Sequence, residues 1–208
     1  MAAPGRLIAI EGGEGAGKST QAARLAALLG AELTREPGGT PLGEEVRRLL
    51  LDPVFAPLGD RTELMLMLAA RAQHLAERIE PALSAGRTVV VDRYQGSTLA
   101  YQGYGRGLPL EEVRLACRLA AGGRDADLNV LVDVPVALGT SRRTAAPDRI
   151  EAADGGFHER VRRGFLAEAG ADPQHWLVVD GSGPPGQVAK VIAAGVRHRL
   201  ERGAARLS

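Results

Sequence analysis

LIAIEGGEGAGKST, residues 7–20, decides the fold of this 208-residue chain. Five residues of strand character, Leu7–Glu11, run into a glycine-rich turn, and a helical pattern opens at Lys18. Gly12-Gly13-Glu14-Gly15-Ala16-Gly17-Lys18-Ser19 satisfies G-x-x-x-x-G-K-[ST], the P-loop pattern, between the strand and the helix that pattern requires. Small residues let the backbone close round an anion, successive N–H groups point inward, and the helix N-terminus adds positive potential. Lys18 is expected at the β- and γ-phosphates of a nucleoside triphosphate, Ser19 on Mg²⁺, and Thr20 beside them at the start of the helix.

Outward from that turn, short apolar runs alternate with longer helical patterns. The expected strands are Leu7–Glu11, Ala31–Glu36, Thr88–Asp92, Leu128–Asp133 and Trp176–Asp180. The expected helices cover about Lys18–Leu29, Leu42–Leu51, Thr62–Ala85, Leu110–Ala120, Phe157–Gly170 and Gly186–Arg202. Most of the strands are near-continuous apolar runs, the mark of strands covered on both faces. The alternation predicts a three-layer α/β fold: a five-stranded parallel sheet with right-handed crossovers and helices on both faces. Glu11, Glu36, Asp92, Asp133 and Asp180 fall at the carboxyl ends, the rim where such sheets bind ligands. One domain over residues 1–208 is expected, with no repeat and no low-complexity tract.

Composition narrows the function. Lys+Arg 26 against Asp+Glu 25 leaves a formal charge of +1, which argues against a nucleic-acid-binding surface. Hydrophobic residues make up 45% of the chain but aromatics only 3%, so the core must be Leu, Val, Ile and Ala. Cys117 is the single cysteine, excluding an internal disulfide framework and suiting helix packing. No signal peptide or transmembrane run is read, so no membrane partner and a cytoplasmic setting are expected. Of the 26 basic residues only Lys18 and Lys190 are lysines. Position 18 therefore holds a compact point charge in a chain that otherwise uses arginine. His74, His158, His175 and His198 show no metal-ligand spacing and are expected to be structural or exposed. The Asn-Lys-x-Asp guanine reader of GTPases is absent, and a small P-loop chain with an acidic ligand rim reads as a small-molecule kinase.

Thr34-Arg-Glu-Pro-Gly-Gly-Thr40, Asp92-Arg-Tyr94 with Ser97-Thr98 and Ala100-Tyr-Gln-Gly103, and Asp148-Arg-Ile-Glu151 follow in order. Together these motifs resemble bacterial thymidylate kinase over nearly the whole chain. The resemblance implies phosphoryl transfer from ATP to dTMP, giving dTDP and ADP in dTTP biosynthesis, on a homodimer with Mg²⁺. It implies Arg93 and Arg47 on the acceptor phosphate, and Asp92 positioning Mg²⁺ through water. Glu14 is expected near the acceptor 3′-hydroxyl and Tyr101 against the deoxyribose. Thr98 and Gln102 are expected at the thymine edge and Arg71 on a base carbonyl, with Glu36, Pro37 and Ser97 also counted in the substrate site. One departure stands out. Where the family often stacks a Phe on thymine, the aligned residue is Met67, and Met65 and Met67 fit a plain core as well.

The acceptor carries a phosphate monoester whose second pKa is about 6, so it is already mostly dianionic at pH 7 and needs no general base. Bringing two anions together demands positive charge and alignment instead. The P-loop holds no arginine. In small kinases such charge comes from a lid, expected at about 141–152, with Arg143 and Arg149 as catalytic candidates and Arg142 next, on ATP. Two alternatives remain open: a kinase for another (deoxy)nucleoside monophosphate, and an ATP-binding regulatory protein that transfers nothing.

Overall fold

The computed structural model describes residues 5–142, 148–153 and 155–204. Five strands, β1 Leu7–Glu11, β2 Glu32–Arg35, β3 Val89–Asp92, β4 Leu128–Asp133 and β5 Trp176–Asp180, form one sheet in the order β2-β3-β1-β4-β5. Every pairing is parallel. The expected sheet is therefore observed, and β2 is shorter than expected, starting at Glu32 and ending at Arg35.

Alternate side chains of the strands feed two different helical layers, as the two-residue pleat dictates. Ile8, Ile10, Val90, Val130 and Val132 pack under α1 (Lys18–Leu29) and α9 (Pro185–Ala204). Leu7, Ala9, Val89 and Val91 pack on the opposite side against Leu75, Ile79, Ala82 and Leu83. Leu131 and Trp176 meet Phe157, Val161 and Phe165 of α8 (Gly155–Ala171). Burial on both faces explains why these strands read as unbroken apolar runs.

The remaining helices are α2 (Pro41–Leu51), α3 (Asp60–His74), α4 (Glu80–Ser84), α5 (Gln95–Thr98), α6 (Leu110–Ala120) and α7 (Val136–Ser141). The long helix expected over Thr62–Ala85 is interrupted. A π-helical turn, Leu75–Ile79, separates α3 from α4. Pro81 sits in the first turn of α4, where it has no N–H to return to the carbonyl of Glu77 and its ring crowds that carbonyl. A second π-helical turn, Leu99–Gly105, continues α5 through the stretch that carries Tyr101 and Gln102. The sequence predicts no helix there, because Gly96, Ser97, Gly103 and Gly105 are poor helix formers. Register brings the carboxyl ends level: Asp92 lies beside Ile10 on one side and Arg35 on the other, and Asp133 lies beside Asp180.

Candidate active site

Between β1 and α1 the chain closes into the cradle that the glycines anticipate. Gly15 has φ 67°, and a Cβ there would lie 2.0 Å from the carbonyl oxygen of Gly139 in α7. Only glycine lets the loop seat against that helix. The Lys18 ammonium, 7% exposed, donates to the carbonyl of Gly13 at 2.7 Å. Burial, with Arg93 close by, pushes it down to about 8. The Ser19 hydroxyl donates to Asp92 Oδ2 at 2.5 Å, while Asp92 Oδ1 is buried without a hydrogen-bond partner. A hydroxyl oxygen and a half-satisfied carboxylate at the mouth of a phosphate cradle suit a hard divalent cation that takes its other ligands from phosphate and water. Among the described residues no cluster of three or more acidic, His or Cys side chains offers a rival metal site.

The end of β3 delivers the guanidinium. Arg93 has φ 71°, the one positive value outside glycine among the described residues, in a region that costs a side chain about 1 kcal/mol or more. The surroundings hold it there. Its N–H donates to Ile10 O at 3.0 Å. Nη1 donates to Gly12 O at 3.1 Å and Ser97 Oγ at 3.2 Å. Nη2 donates to Glu14 Oε1 at 2.5 Å and Tyr101 Oη at 3.2 Å. Glu14 Oε1 also accepts from the Tyr101 hydroxyl at 2.6 Å. Burial raises the Glu14 carboxyl, but Arg93 and Lys18 outweigh it and hold the group well below the usual carboxylate range. Glu11, fully buried, anchors the turn after Arg93. It accepts from the backbone N–H of Tyr94 at 3.0 Å and of Ser97 at 3.2 Å, and from the Ser97 hydroxyl at 2.5 Å.

A wall of buried polar side chains faces the cradle across a cavity of about 280 Å³. Arg71, 2% exposed, donates from Nε to Glu36 Oε2 at 2.7 Å, from Nη2 to Thr98 Oγ1 at 2.9 Å, and from Nη1 to Cys117 Sγ at 3.6 Å. His74, fully buried, reaches Glu36 Oε1 with Nδ1 at 3.1 Å and Thr34 Oγ1 with Nε2 at 2.6 Å. A carboxylate only accepts, so Nδ1 carries the proton toward Glu36. Gly39, at φ 79°, lies over this contact; a Cβ there would come within 2.6 Å of the His74 ring. Gln102 Nε2 donates to Glu63 Oε1 at 2.9 Å, and Glu63 also accepts from Arg106 and Arg149. Arg47 donates from Nη1 to Pro37 O at 3.1 Å and lines the same cavity with Met67.

Of the expected site residues, Glu14, Lys18, Ser19, Glu36, Pro37, Arg47, Met67, Arg71, Asp92, Arg93, Ser97, Thr98, Tyr101 and Gln102 all line that cavity. Thr20 is exposed on the first turn of α1. Arg142 sits at the other end of the cradle, donating to Gly181 O at 3.0 Å and Ser182 O at 2.9 Å. Arg143 lies outside the described residues. Arg149, expected as a catalytic lid arginine, bonds to α2 and α3 in this structure. Its N–H and Nε donate to the carbonyls of Leu51 and Leu50 at 3.1 and 2.8 Å, capping α2, and Nη2 pairs with Glu63 at 2.6 Å. A helix C-terminus and a buried carboxylate both attract a guanidinium, which accounts for this position. Thr34, Glu63 and His74 belong to this site although they are not among the expected site residues, and Glu11 is expected only on the ligand rim. A signal existed: Glu63, Met67, Arg71 and His74 recur at helical spacing on one face, so a face otherwise facing the core carries three polar side chains.

A family model described as thymidylate kinase matches residues 10–192. The chain is 49% identical over 204 residues to the thymidylate kinase of Deinococcus radiodurans, covering 94% of this chain and 98% of that one. It is likewise 49% identical over 205 residues to the thymidylate kinase of Thermomicrobium roseum, covering 95% and 97%. The crystal structure of thymidylate kinase from Ehrlichia chaffeensis superposes with a TM-score of 0.77 at 30% identity, covering 94% of this chain and 99% of that chain.

Proposed function

We infer the reaction from one premise: the chain belongs to the thymidylate kinase family. It is a kinase that transfers the γ-phosphoryl group of ATP to dTMP, yielding dTDP and ADP. The observation that carries the residue assignments is one cavity that joins Lys18 and Ser19 of the cradle to Arg93 at the end of β3. A donor site and an acceptor arginine thus share a wall.

Lys18 holds the β- and γ-phosphates, and the backbone N–H groups of Gly13–Lys18 surround them. Arg93 and Arg47 hold the acceptor phosphate and bring its oxygen in line. Glu14 is the anion that fixes Arg93 at 2.5 Å, and a phosphate dianion would share that guanidinium with it. Ser19 and Asp92 are the proposed ligands for Mg²⁺, which would supply neutralising charge on the transferring group when bound. Arg71, Thr98 and Gln102 meet the base, and the Tyr101 ring covers the sugar. Arg142, at the Gly181–Ser182 carbonyls, serves the ATP end.

A homodimer is the proposed assembly. Its support is an apolar face on α3 and α6: Met65 is 60% exposed, Leu115 63% and Leu119 83%, with Ala69, Ala72 and Ala76 exposed in helical register with Met65. Among the described residues no helix is long and apolar enough to cross a membrane, and a cytoplasmic location is part of the same proposal. The test is an acceptor panel of dTMP, dUMP, dCMP and dGMP with ATP and Mg²⁺, following ADP. The highest kcat/KM is expected for dTMP. Preference for another monophosphate would overturn the substrate assignment, and ADP formation with none of them would leave an ATP-binding protein that transfers nothing.

A further inference from the structure

Glu63 is a carboxylate with no solvent exposure, on α3, in contact with a residue of the acceptor wall. Oε1 accepts from Gln102 Nε2 at 2.9 Å and Arg106 Nε at 3.2 Å; Oε2 accepts from Arg106 Nη2 at 3.0 Å and Arg149 Nη2 at 2.6 Å. Two guanidiniums neutralise it, which is what a buried carboxylate requires. Burial works against the ionised form, yet the hydrogen bonds from Arg106 and Gln102 hold Glu63 below the usual carboxylate range.

The consequence falls on Gln102, 1% exposed in the cavity wall. A primary amide can turn either end toward a partner, and only its hydrogen-bond network decides which. An ionised carboxylate accepts and cannot donate, so the Gln102 NH₂ must face Glu63 and the carbonyl oxygen must face the other way. Arg71, on the same wall, can only donate. A donor next to an acceptor complements a base edge that offers a carbonyl beside a ring N–H, as thymine and uracil do. Cytosine presents the opposite pair, an amino group beside a bare ring nitrogen, and would meet repulsion at both positions.

We propose that Glu63 is a positioning residue for base selection: it locks the Gln102 amide with its oxygen toward the acceptor base, and so sets the preference for a 4-oxo over a 4-amino pyrimidine. The proposal deepens the dTMP reading and rests on it. Arg106 and Arg149 keep Glu63 ionised and are part of the lock. Selection of thymine over uracil lies outside it, since those bases share the edge concerned.

The test compares kcat/KM for dTMP and dCMP in the wild-type enzyme and in Glu63→Gln, with the KM for ATP and the thermal midpoint recorded alongside. In Glu63→Gln the facing amide accepts or donates, and Gln102 is free to flip. The dTMP/dCMP ratio is expected to fall about tenfold, the worth of one hydrogen bond, with the KM for ATP unchanged. A general loss of fold would move both acceptors together and leave their ratio alone. Should Glu63→Gln not accumulate as folded protein, Glu63→Asp carries the same test. Its shorter stem lengthens the Gln102 contact while keeping the charge, and a smaller fall in the ratio is expected. An unchanged ratio in a folded variant overturns the proposal. If the wild-type enzyme itself shows no preference for dTMP over dCMP, the failure lies with the substrate assignment and not with Glu63.

Discussion

The two ends of the site are built on different principles. At the proposed ATP end the groups are mostly main-chain: the Gly13–Lys18 turn, with the Gly181 and Ser182 carbonyls holding Arg142. Ser19 and Thr20 are exposed, and the one deeply set charge, Lys18, leans on a single carbonyl. The acceptor end is an interlock of buried side chains in two hydrogen-bonded groups, Thr34–His74–Glu36–Arg71–Thr98 and Gln102–Glu63. A triphosphate can be held by dipoles and one ammonium, because charge alone distinguishes it. Reading a base edge needs donors and acceptors that cannot rotate, and packing together with mutual hydrogen bonding prevents rotation.

The contrast breaks most visibly at Lys18 and Arg71. Lys18→Ala is expected to lower kcat by about 10³-fold, with little change in melting temperature, because it removes positive charge at the transferring phosphoryl and few contacts. A variant that kept its kcat and lost only ATP affinity would show that the cradle needs no lysine for chemistry. Arg71→Ala should do the reverse. Glu36 would stay buried without its guanidinium, at a cost of about 3 kcal/mol in unfolding free energy, and dTMP binding would fall with it. Urea denaturation reads that loss. A variant as stable as wild type would mean that the wall is not an interlock.

These two ends were unequally legible in the sequence. The cradle is contiguous, and its glycines, lysine and hydroxyl each answer a local geometric need, so residues 12–19 announce themselves. Asp92 and Arg93 were legible too, because a parallel sheet places strand ends on one rim. The interlock draws on β2, α3 and the π-helical turn after α5, segments up to 68 positions apart between Thr34 and Gln102. No local pattern says that His74 stands between Thr34 and Glu36, or that Glu63 pairs with Arg149. Those pairings are consequences of tertiary packing. The π-helical turn is the sharpest example. It brings Tyr101 to Glu14 and its immediate neighbour Gln102 to Glu63, and glycine-rich composition concealed a helix altogether.

A pH profile separates the ends again. Lys18 in the free enzyme titrates at about 8, below the ordinary lysine value of 10.5, because burial and Arg93 disfavour the charged form. The protonated form binds phosphate, so kcat/KM for ATP should be level below pH 8 and decline as pH rises through it, about tenfold per unit beyond. Lys18→Arg, which keeps its proton, should lose that limb. The acceptor wall supplies no matching limb near pH 8, since its arginines stay charged. An alkaline limb that survives in Lys18→Arg assigns the titration elsewhere.

Arg149→Ala tests which end that residue serves. Bound to Glu63 and the α2 carbonyls, it belongs with the acceptor wall, so the expected result is a rise of about tenfold in KM for dTMP with kcat within a few-fold. A kcat loss comparable to that of Lys18→Ala would return Arg149 to the transferring phosphoryl group.

The smallest expected effect is at Cys117, and it is informative because it is small. The thiol lies 3.6 Å from Arg71 Nη1, and burial pushes its pKa up, so Arg71 faces a neutral S–H, a weak acceptor. Glu36 on Nε and Thr98 on Nη2 already fix the plane of the guanidinium from two sides. Cys117→Ala removes weak contacts to Arg71 and Thr98 and a single sulfur's volume, for a stability loss of about 1 kcal/mol. KM for dTMP should stay within about twofold, and Cys117→Ser, with a better acceptor at the same site, should match wild type. A tenfold rise in KM for either variant would mean that Glu36 and Thr98 do not hold Arg71 in place. The acceptor wall would then be as adaptable as the cradle it faces.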